Sequence, residues 1–558
     1  MSSVSSPATP LAPQDDLRQA ASEAPSPTLL SNIPGVAPVI IGAGPAGIRA
    51  AQTLVAAGLR PVVLDEAPRA GGQIYRQPPP GFVRTSRERY GSEAGKADAL
   101  HRTMQDLLPH IDYRPDTLAW HCESGMLDVV RAGVADAVPF SHLILATGAT
   151  DRVLPFDGWT TPGVYTLGGA QVALKYQGCA IGARVAFLGT GPLLYLVAYQ
   201  YAKAGAKVVA VLDTAGLSNR LRALPGMLRA PRLLAQGLYY MAWLRAHGVP
   251  LHTHVRPVRI ESGANDATEG GVAAGARAHA GTESGTSIID TETTAHAAGR
   301  AAADRVAADR VAADRVAADR VAADRVAADH VAADRVTALH VRHRDGRVHR
   351  IECDAVGYGL ALRSETQLAS LAGCAFDFDA QDRAWLPRRD AAGRSSVPGV
   401  YLAGDGAGIA GADAAEVAGE RAALALCADI GVAVDPARVR ALERTRVQSA
   451  VVRRALALAF PFPDDWAAAL DDRVTLCRCE EITVGTLRAT AAAEGVTELN
   501  RLKALTRVGM GRCQGRMCGA AAAEVVAASM YVPIDSIGRI RAQPPVKPLS
   551  VRIDGSAP

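Results

Sequence analysis

The chain of 558 residues lacks any apolar run long enough to cross a membrane, which needs about 20 residues. It also lacks an excess of one charge: 60 Lys and Arg nearly balance 56 Asp and Glu, and the net charge is +4. Nothing in this balance favours binding to nucleic acid or to an anionic membrane surface. Residues 1–33 are rich in Ser, Pro and Ala and lack the charged start and apolar stretch of a signal peptide. We expect a disordered leader there and a cytoplasmic protein.

Cysteine is scarce, and its distribution excludes a disulfide framework. Five of the nine cysteines stand alone and are interpreted as ordinary buried thiols: Cys122, Cys179, Cys353, Cys374 and Cys427. The chain is too long for one hydrophobic core, so two to four domains are expected.

The other four cysteines lie together near the C-terminus. Cys477 and Cys479 form a C-x-C pair, and Cys513 and Cys518 form a C-x4-C pair in a loop rich in glycine and arginine. Four thiolates on two short loops can hold an iron–sulfur cluster or a zinc ion. Zinc loops usually separate their cysteines by two to four residues, whereas a single residue separates Cys477 from Cys479. This spacing disfavours zinc without excluding it. Residues 474–530 resemble the [2Fe–2S] domain of the bacterioferritin-associated ferredoxin type, and this resemblance implies that all four cysteines ligate such a cluster.

A first nucleotide-binding pattern begins near residue 36. An apolar strand (36–41) precedes a G-x-G-x-x-G turn, an alanine-rich helix and a second strand (61–64). The glycines permit a tight turn, a close approach to a pyrophosphate and close packing of helix on strand, and the phosphates lie at the helix N-terminus. Asp65, or alternatively its neighbour Glu66, is placed to accept a hydrogen bond from a ribose hydroxyl. The turn consists of Gly42, Gly44, Pro45, Ala46 and Gly47.

Three later segments resemble motifs of the two-dinucleotide-binding-domain flavoproteins. They are the G-G-Q after the ribose acid, the A-T-G after the strand 142–145, and the A-G-D-G that follows V-Y-L. Their order and spacing imply that the first nucleotide is FAD, with the last aspartate on the ribityl chain. The residues concerned are Gly72, Gln73, Thr147, Gly148, Gly404 and Asp405.

A second copy of the pattern begins at residue 184. Gly189 and Gly191 open the turn, but Leu194 replaces the third glycine, which puts the close approach of helix and strand in doubt. Asp213 ends the second strand, and no arginine follows it directly, so NAD or another adenine nucleotide is preferred over NADP. A domain that has kept this fold and lost its nucleotide would carry the same pattern, and both interpretations stay open.

The chain resembles one branch of the flavoproteins. Disulfide reductases of this fold need a redox-active cysteine pair beside the flavin, and Cys179 stands alone where such a pair would lie. Five segments resemble the alpha-type subunits of heteromeric bacterial amine and imino-acid dehydrogenases. They are residues 65–77, 162–171, 187–198 and 398–411 and the cysteine segment. The resemblance implies a partner, a catalytic flavoprotein beta subunit of the D-amino-acid-oxidase-like type. A small ferredoxin-like subunit is a further candidate partner.

These observations predict an α/β fold of two Rossmann-like domains with a small C-terminal [2Fe–2S] domain. We expect a split FAD domain (34–160 and 365–430), a second nucleotide-fold domain (161–364), a helical linker (431–473), the cluster domain (474–535) and a tail (536–558). Low-complexity sequence with seven A-A-D-R-V-type repeats (262–335) interrupts a predicted β-meander. Valines at a five-residue period make no continuous helical stripe, so we interpret this insertion as solvated and without function; a partner-binding helix is the alternative.

The expected function is electron transfer between FAD and the cluster, in a complex that oxidises a secondary amine or imino acid. No general acid or base can be named from the sequence, which suits a protein whose chemistry belongs to its cofactors. One alternative is a self-sufficient NAD(P)H-dependent flavin reductase that delivers electrons through its own cluster. A second is an assembly or iron-handling subunit whose cofactors are structural.

Overall fold

The computed structural model describes residues 38–81, 84–263, 335–463 and 465–549. These residues form an α/β fold with two five-stranded parallel sheets, which confirms the predicted fold class. The predictions for the leader and for the repeats concern residues outside these ranges. Among the described helices, none combines the length and the apolar character that a membrane span requires.

The first sheet has the strand order β20-β7-β1-β2-β3, and all its pairs are parallel. Its strands β1 and β7 are almost wholly apolar because helices or loops cover both faces. The fifth strand comes from far later in the chain, so this unit is discontinuous in sequence. The strands are β1 (Pro38–Ile41), β2 (Val62–Leu64), β3 (Asp112–Arg114), β7 (His142–Leu145) and β20 (Val400–Leu402).

Two long helices pack against each other beside this sheet. Small buried side chains line their contact, among them Ala46 and Ala50 on the first helix and Ala415 and Ala422 on the other. An antiparallel three-stranded sheet joins β3 to β7. The elements are α1 (Pro45–Ala56), α2 (Ser86–Tyr90), α3 (Ala94–Leu107), α9 (Ala412–Asp429), β4 (Thr117–Glu123), β5 (Met126–Arg131) and β6 (Val134–Pro139).

The second parallel sheet has the order β12-β11-β10-β16-β9. Leu194, at the position of the missing third glycine, is fully buried among Phe187 and Val197, so the helix packs on the sheet through a leucine. The elements are β9 (Val164–Thr166), α4 (Leu167–Val172), β10 (Arg184–Thr190), α5 (Pro192–Lys203), β11 (Lys207–Asp213), α6 (Leu217–Met227), α7 (Pro231–Ala246), β12 (Leu251–Thr253) and β16 (Ala355–Leu360).

The predicted β-meander is present as three antiparallel strands, β13 (Arg256–Gly263), β14 (Arg335–Arg342) and β15 (Val348–Glu352). Gly263 and Arg335 are direct partners in this ladder. The chain therefore leaves β13 and enters β14 at adjacent positions.

Short elements connect the two sheets. Strands β8 (Ala149–Asp151) and β17 (Leu362–Ser364) pair antiparallel where the chain passes between the units. Helix α8 (Gln367–Leu371) and the hairpin β18 (Phe376–Asp379) and β19 (Ala384–Pro387) then lead to β20.

The C-terminal part begins with a long helix inside the segment for which the sequence predicts a helical linker. Asp435 caps this helix by accepting hydrogen bonds from the backbone N–H groups of Ala437 and Arg438. The cysteine-containing segment beyond it packs on the second unit, since the Trp159 indole donates to the Thr475 carbonyl (2.6 Å). The elements are α10 (Pro436–Ala459), β21 (Thr475–Cys477), β22 (Ile482–Thr483), α11 (Val484–Glu494), α12 (Leu499–Thr506) and α13 (Gly519–Met530).

Candidate functional site

The N-terminus of α1 has the features of a phosphate site. Gly44 precedes the helix, and no side chain caps it, so the backbone N–H groups of the first turn are available to an anion. Pro45 lies in this first turn, where a backbone N–H would have no intrahelical acceptor, so proline costs no hydrogen bond there. A Cβ on Gly47 would lie 1.8 Å from the Gly42 carbonyl oxygen, so only glycine fits there.

The acid that ends β2 is buried and held by backbone groups. Asp65 is 8% exposed, and its carboxylate accepts hydrogen bonds from the N–H groups of Ala43 (2.5 Å) and Ala67 (2.7 Å). Burial raises the pKa of Asp65, while these two backbone hydrogen bonds oppose the rise. Its neighbour Glu66 is exposed and pairs with Lys547. Of the two acids, Asp65 has the position expected of a ribose partner.

The later motifs converge on the same edge of the first sheet. A Cβ on Gly72 would lie 2.9 Å from the Gly44 Cα, and one on Gly404 would lie 2.9 Å from the Ala46 side chain. Gln73 is exposed, and its side chain accepts a hydrogen bond from Arg76.

Thr147 and Asp405 are fixed by their surroundings. The Thr147 hydroxyl donates to the Glu365 carbonyl (2.6 Å), and the Gly148 carbonyl accepts from the Glu365 N–H (3.0 Å). One Asp405 oxygen accepts from the N–H groups of Ala410 (2.8 Å) and Gly411 (3.0 Å), and burial raises the pKa of this carboxyl. An uncapped helix, a buried strand-end acid and a second acid beside the turn fit the phosphates, ribose and ribityl chain of FAD.

The second nucleotide fold differs at the corresponding acid. Asp213 is fully buried, and its carboxylate accepts hydrogen bonds from the Ala215 N–H (2.8 Å), the Tyr195 hydroxyl (2.7 Å) and the Arg220 guanidinium (2.5 Å). Arg220 also donates to the Tyr195 hydroxyl. Burial raises the pKa of Asp213, and the Arg220 charge is the largest influence against the rise. The turn itself is unobstructed, since a Cβ on Gly191 would meet no described atom within 4 Å.

The four clustered cysteines lie together. Cys477 and Cys518 are buried, and Cys479 and Cys513 are half-buried. Of the five isolated cysteines interpreted as buried thiols, four are buried, but the interpretation is wrong for Cys179, which is exposed. A hydrogen bond from the Cys518 thiol, with contributions from backbone N–H groups such as that of Gly509, lowers the pKa of Cys477 to about 6. The Cys518 thiol also lowers the pKa of Cys513 to about 5. Thiolates surrounded by backbone N–H donors fit the sulfur ligands of an iron–sulfur cluster.

The loops around these cysteines are closely packed. A Cβ on Gly511 would lie 2.3 Å from the Cys479 Cβ, so this position requires glycine. Across the described ranges, no three or more metal-binding side chains are already arranged as the ligands of one ion. The thiols instead contact one another in pairs: Cys477 with Cys518, Cys513 with Cys518, and Cys479 with Cys513.

One short segment connects the A-T-G turn to the cysteine loop. Glu365, bonded to Thr147 and Gly148 through its backbone, forms an ion pair with Arg516 (2.8 Å) through its side chain. Burial pushes the pKa of Glu365 upward, but Arg363 and Arg516 outweigh it and hold this pKa below its ordinary value. We call residues 363–367 the bridging segment.

The bridging segment makes two further contacts with the cysteine loop. Arg363 donates to the Arg516 carbonyl (2.9 Å), and Gln367 donates to the Gln514 carbonyl (2.8 Å). Burial lowers the pKa of Arg363, whereas Cys513 and Cys518 lie close enough to favour its charge.

Sequence reasoning missed the groups that act across the fold. Arg220 lies seven residues beyond Asp213 on α6, and a search for arginine directly after the acid passes over it. Tyr195, on the first turns of α5, belongs to no motif that would mark it as a partner of Asp213. The bridging segment carries no recognised motif, and nothing in the sequence pairs Glu365 with Arg516.

Comparison with known proteins identifies the class. The family described as "Pyridine nucleotide-disulphide oxidoreductase" matches residues 37–324, and the "BFD-like [2Fe-2S] binding domain" matches residues 475–528. The protein is an FAD-dependent oxidoreductase with a C-terminal [2Fe–2S] domain, which confirms both predicted cofactors. The chain belongs to the pyridine nucleotide-disulphide oxidoreductase family.

Individual relatives cover nearly the whole chain. The A subunit of opine oxidase from Rhizobium meliloti (strain 1021) is 32% identical over 92% of this chain and 97% of its own length. Hydrogen cyanide synthase subunit HcnB of Pseudomonas aeruginosa is 30% identical over 86% of this chain and 90% of its own. The crystal structure of L-proline dehydrogenase from P. horikoshii has a TM-score of 0.57 at 18% identity, covering 92% of this chain and 78% of that one, and shows a shared fold. These relatives confirm the predicted resemblance to subunits of this type.

Proposed function

We propose that this chain is the electron-transferring subunit of a heteromeric dehydrogenase that oxidises a secondary amine or imino acid. The relatives named as subunits of opine oxidase and hydrogen cyanide synthase support this proposal. A partner flavoprotein of the D-amino-acid-oxidase type would oxidise the C–N bond, and a small ferredoxin-like subunit is a further candidate partner. The cytoplasmic location and the domain boundaries inferred from the sequence stay predictions.

The residues proposed to bind the cofactors are those inferred from the motifs. Gly42, Gly44, Gly47, Asp65 and Asp405 would hold FAD, and the four clustered cysteines would ligate the [2Fe–2S] group. When bound, the flavin accepts or gives one or two electrons and the iron–sulfur group carries one. The protein's own contribution is to hold the two groups in a fixed relation and to exclude water between them.

The observation that carries the proposal is the bridging segment. It contacts the A-T-G turn through the Glu365 backbone and the cysteine loop through the Glu365, Arg363 and Gln367 side chains. The Glu365–Arg516 pair is nearly solvent-free, with side chains 8% and 13% exposed. A dry, hydrogen-bonded connection of this kind supports electron transfer inside one folded molecule.

The test uses the complex as purified with its partner subunits. We expect anaerobic addition of a suitable amine, drawn from sarcosine, hydroxyproline, glycine and an opine, to produce the electron paramagnetic resonance signal of a reduced [2Fe–2S] cluster. Dithionite serves as the positive control, and photoreduction of the flavin tests the internal step without any amine. A flavin that is reduced by light while the cluster stays oxidised would reject electron transfer between them.

A variant of the bridging segment sharpens this test. Glu365→Gln keeps the shape of the side chain and removes the charge that pairs with Arg516, so we expect slower cluster reduction with FAD and iron content retained. Glu352→Gln, at an exposed glutamate, is the matched control. Equal rates in both variants would show that the Glu365 charge does not support transfer.

The flavin reductase alternative meets an obstacle in the second nucleotide fold. Asp213, the acid that would accept the ribose of NADH, is already occupied by Tyr195 and Arg220. We therefore expect NADH or NADPH added to the isolated chain to leave the flavin oxidised. Bleaching of the flavin within the time of enzyme turnover would favour the reductase.

The iron-handling alternative predicts that the cluster is dispensable for activity. Cys513→Ser should give a yellow protein without the broad visible absorbance of the cluster. With a dye that accepts electrons from the cluster, our proposal predicts that the complex containing this variant loses amine oxidation. Full activity with that dye would favour a structural role for the iron.

A further inference from the structure

A cavity of about 310 Å³ lies between α9 and α10. Helix α10 covers it, and residues 389–393 and the turn 404–408 close its other sides. Its wall is partly apolar, with Leu386, Leu402, Val417 and Leu442 among the lining residues. Apart from Gly404 and Asp405 of the A-G-D-G turn, the sequence motifs place none of the lining residues in a cofactor site.

Four arginines line this cavity, and two of them are already paired. Arg446 pairs with Glu443 (2.6 Å), and Arg453 pairs with Asp379 (3.3 Å) and Asp382 (2.8 Å). The other two are Arg389 and Arg421.

The side chains of Arg389 and Arg421 make no hydrogen bond or ion pair with any residue that the structure describes. The Nε atom of Arg421 is buried and unpartnered. Arg389, taken as a whole residue, is exposed. A buried donor without a partner, such as the Arg421 Nε, is costly unless a ligand or a water molecule satisfies it.

The carboxylates that line the cavity are already engaged. Asp390 accepts from the N–H groups of Ala392 and Arg394, and Asp405 accepts from Ala410 and Gly411. Burial of the guanidinium lowers the pKa of Arg389, the charges of Arg446 and Arg453 lower it further, and Asp405 opposes the change. Each carboxylate in the lining thus has a hydrogen-bond or ion-pair partner, whereas the guanidinium groups of Arg389 and Arg421 have none among the described residues.

We propose that this cavity is a binding site for a small phosphate monoester other than FAD, and that it adjoins the proposed FAD site at Gly404 and Asp405. Two free guanidinium groups match a dianion, because each can donate two parallel hydrogen bonds to phosphate oxygens. The leucine and valine side chains would contact an apolar body attached to the phosphate. The alanines of α9 and α10 that line the cavity, such as Ala414 and Ala450, leave room for it.

The test uses the FAD-loaded full chain and three probes: phenyl phosphate, inorganic phosphate and benzoate. We expect calorimetry to detect binding in the order phenyl phosphate, inorganic phosphate, benzoate, with a site number of one beyond the FAD. Arg421→Gln should weaken phenyl phosphate binding by about tenfold, since one charge-assisted pair of hydrogen bonds is lost. Arg444→Gln, at an exposed arginine of α10 outside the cavity, should leave binding unchanged.

Several outcomes would overturn the proposal. If phenyl phosphate does not bind, the cavity holds no phosphate site. The same conclusion follows if Arg421→Gln and Arg444→Gln bind phenyl phosphate equally well. If Arg389→Gln and Arg421→Gln lose FAD, the cavity belongs to the FAD site. Should either variant fail to fold, competition by sulfate but not by neutral glycerol against phenyl phosphate in the wild type decides whether the site recognises an oxyanion.

Discussion

The two nucleotide folds of this chain follow one sequence pattern and differ in what surrounds the acid at the end of the second strand. Asp65 accepts hydrogen bonds from two backbone N–H groups, and no cationic side chain pairs with it in the described part of the chain. Asp213 is enclosed by a tyrosine, an arginine and a backbone N–H. The same pattern gives the same local fold in both units but leaves the acid with different partners, so the pattern alone does not predict a ribose site.

The largest expected effect is at Gly47, the third glycine of the first nucleotide fold, because the second fold has Leu194 at the corresponding position. Gly47→Val would place side-chain atoms against the Gly42 carbonyl, so we expect loss of FAD and an unstable first unit. Flavin absorbance and thermal unfolding measure this. Gly95→Ala, on α3, meets no described atom within 4 Å and serves as the control that retains FAD. A yellow, stable Gly47→Val protein would show that the close approach is unnecessary.

The next largest effect is expected at Arg220 in the second nucleotide fold. Arg220→Leu leaves the Asp213 carboxylate buried without its charge partner, which costs about 3–5 kcal/mol of unfolding free energy. Arg222→Leu, at an exposed arginine of the same helix, should change stability little. FAD content should stay the same in both. Loss of FAD in Arg220→Leu would contradict the separation of the two sites.

The same variant predicts a dependence on pH. Burial already raises the pKa of Asp213, and removing Arg220 raises it further, so at pH values between the unfolded and folded pKa the folded variant holds a proton that the unfolded chain has released. Such a group favours folding at low pH, and this contribution is lost as the pH rises through the interval between its unfolded and folded pKa values. Denaturant titrations from about pH 8 to about pH 5 should therefore show the stability deficit of Arg220→Leu shrinking. A deficit that grows toward acid pH would contradict this assignment.

A smaller effect is expected at the acid of the first fold. Asp65→Asn keeps an acceptor oxygen for one of the two backbone N–H groups, places an NH2 group against the other, and loses the charge that a ribose hydroxyl would contact. We expect FAD affinity to fall by about tenfold or more, as for the loss of a charged hydrogen bond. Fluorescence titration of the apoprotein measures the affinity, and circular dichroism checks the fold. Unchanged affinity would remove Asp65 from the site.

The smallest effect is expected at Glu66, and it distinguishes the role of Asp65 from that of its neighbour. Glu66 is exposed and pairs with Lys547, and exposed pairs contribute about 0–1 kcal/mol. Glu66→Gln should therefore leave FAD affinity and stability nearly unchanged in the same titrations. A loss of affinity equal to that of Asp65→Asn would show that both acids contact the cofactor.

Local patterns predict most of the fold. The strand before each glycine turn, the helix after it and the strand ending in Asp65 or Asp213 are all visible in the sequence because apolar runs and glycines act within a few residues. The predicted strand 142–145 and the meander agree with β7 and β13–β15. The long helix of residues 436–459 lies within the segment predicted to be helical.

What the sequence could not show depends on contacts that the path of the backbone creates. Arg220 is only seven residues from Asp213, but their contact depends on how α6 leaves the end of β11, which spacing alone does not reveal. The Glu365–Arg516 pair joins positions 151 residues apart. The cavity beside α9 exists because α10 packs over it, and its arginines come from separate segments. Sequence patterns thus identified the cofactors, whereas the environment of each acid required the tertiary structure.

The direct pairing of Gly263 with Arg335 has a practical consequence. Two positions that face each other across an antiparallel ladder can be joined by a two-residue turn such as Asn-Gly. A shortened gene lacking codons 264–334 should then yield a protein whose remaining strands keep their register. The same junction offers a place to graft a tag or reporter.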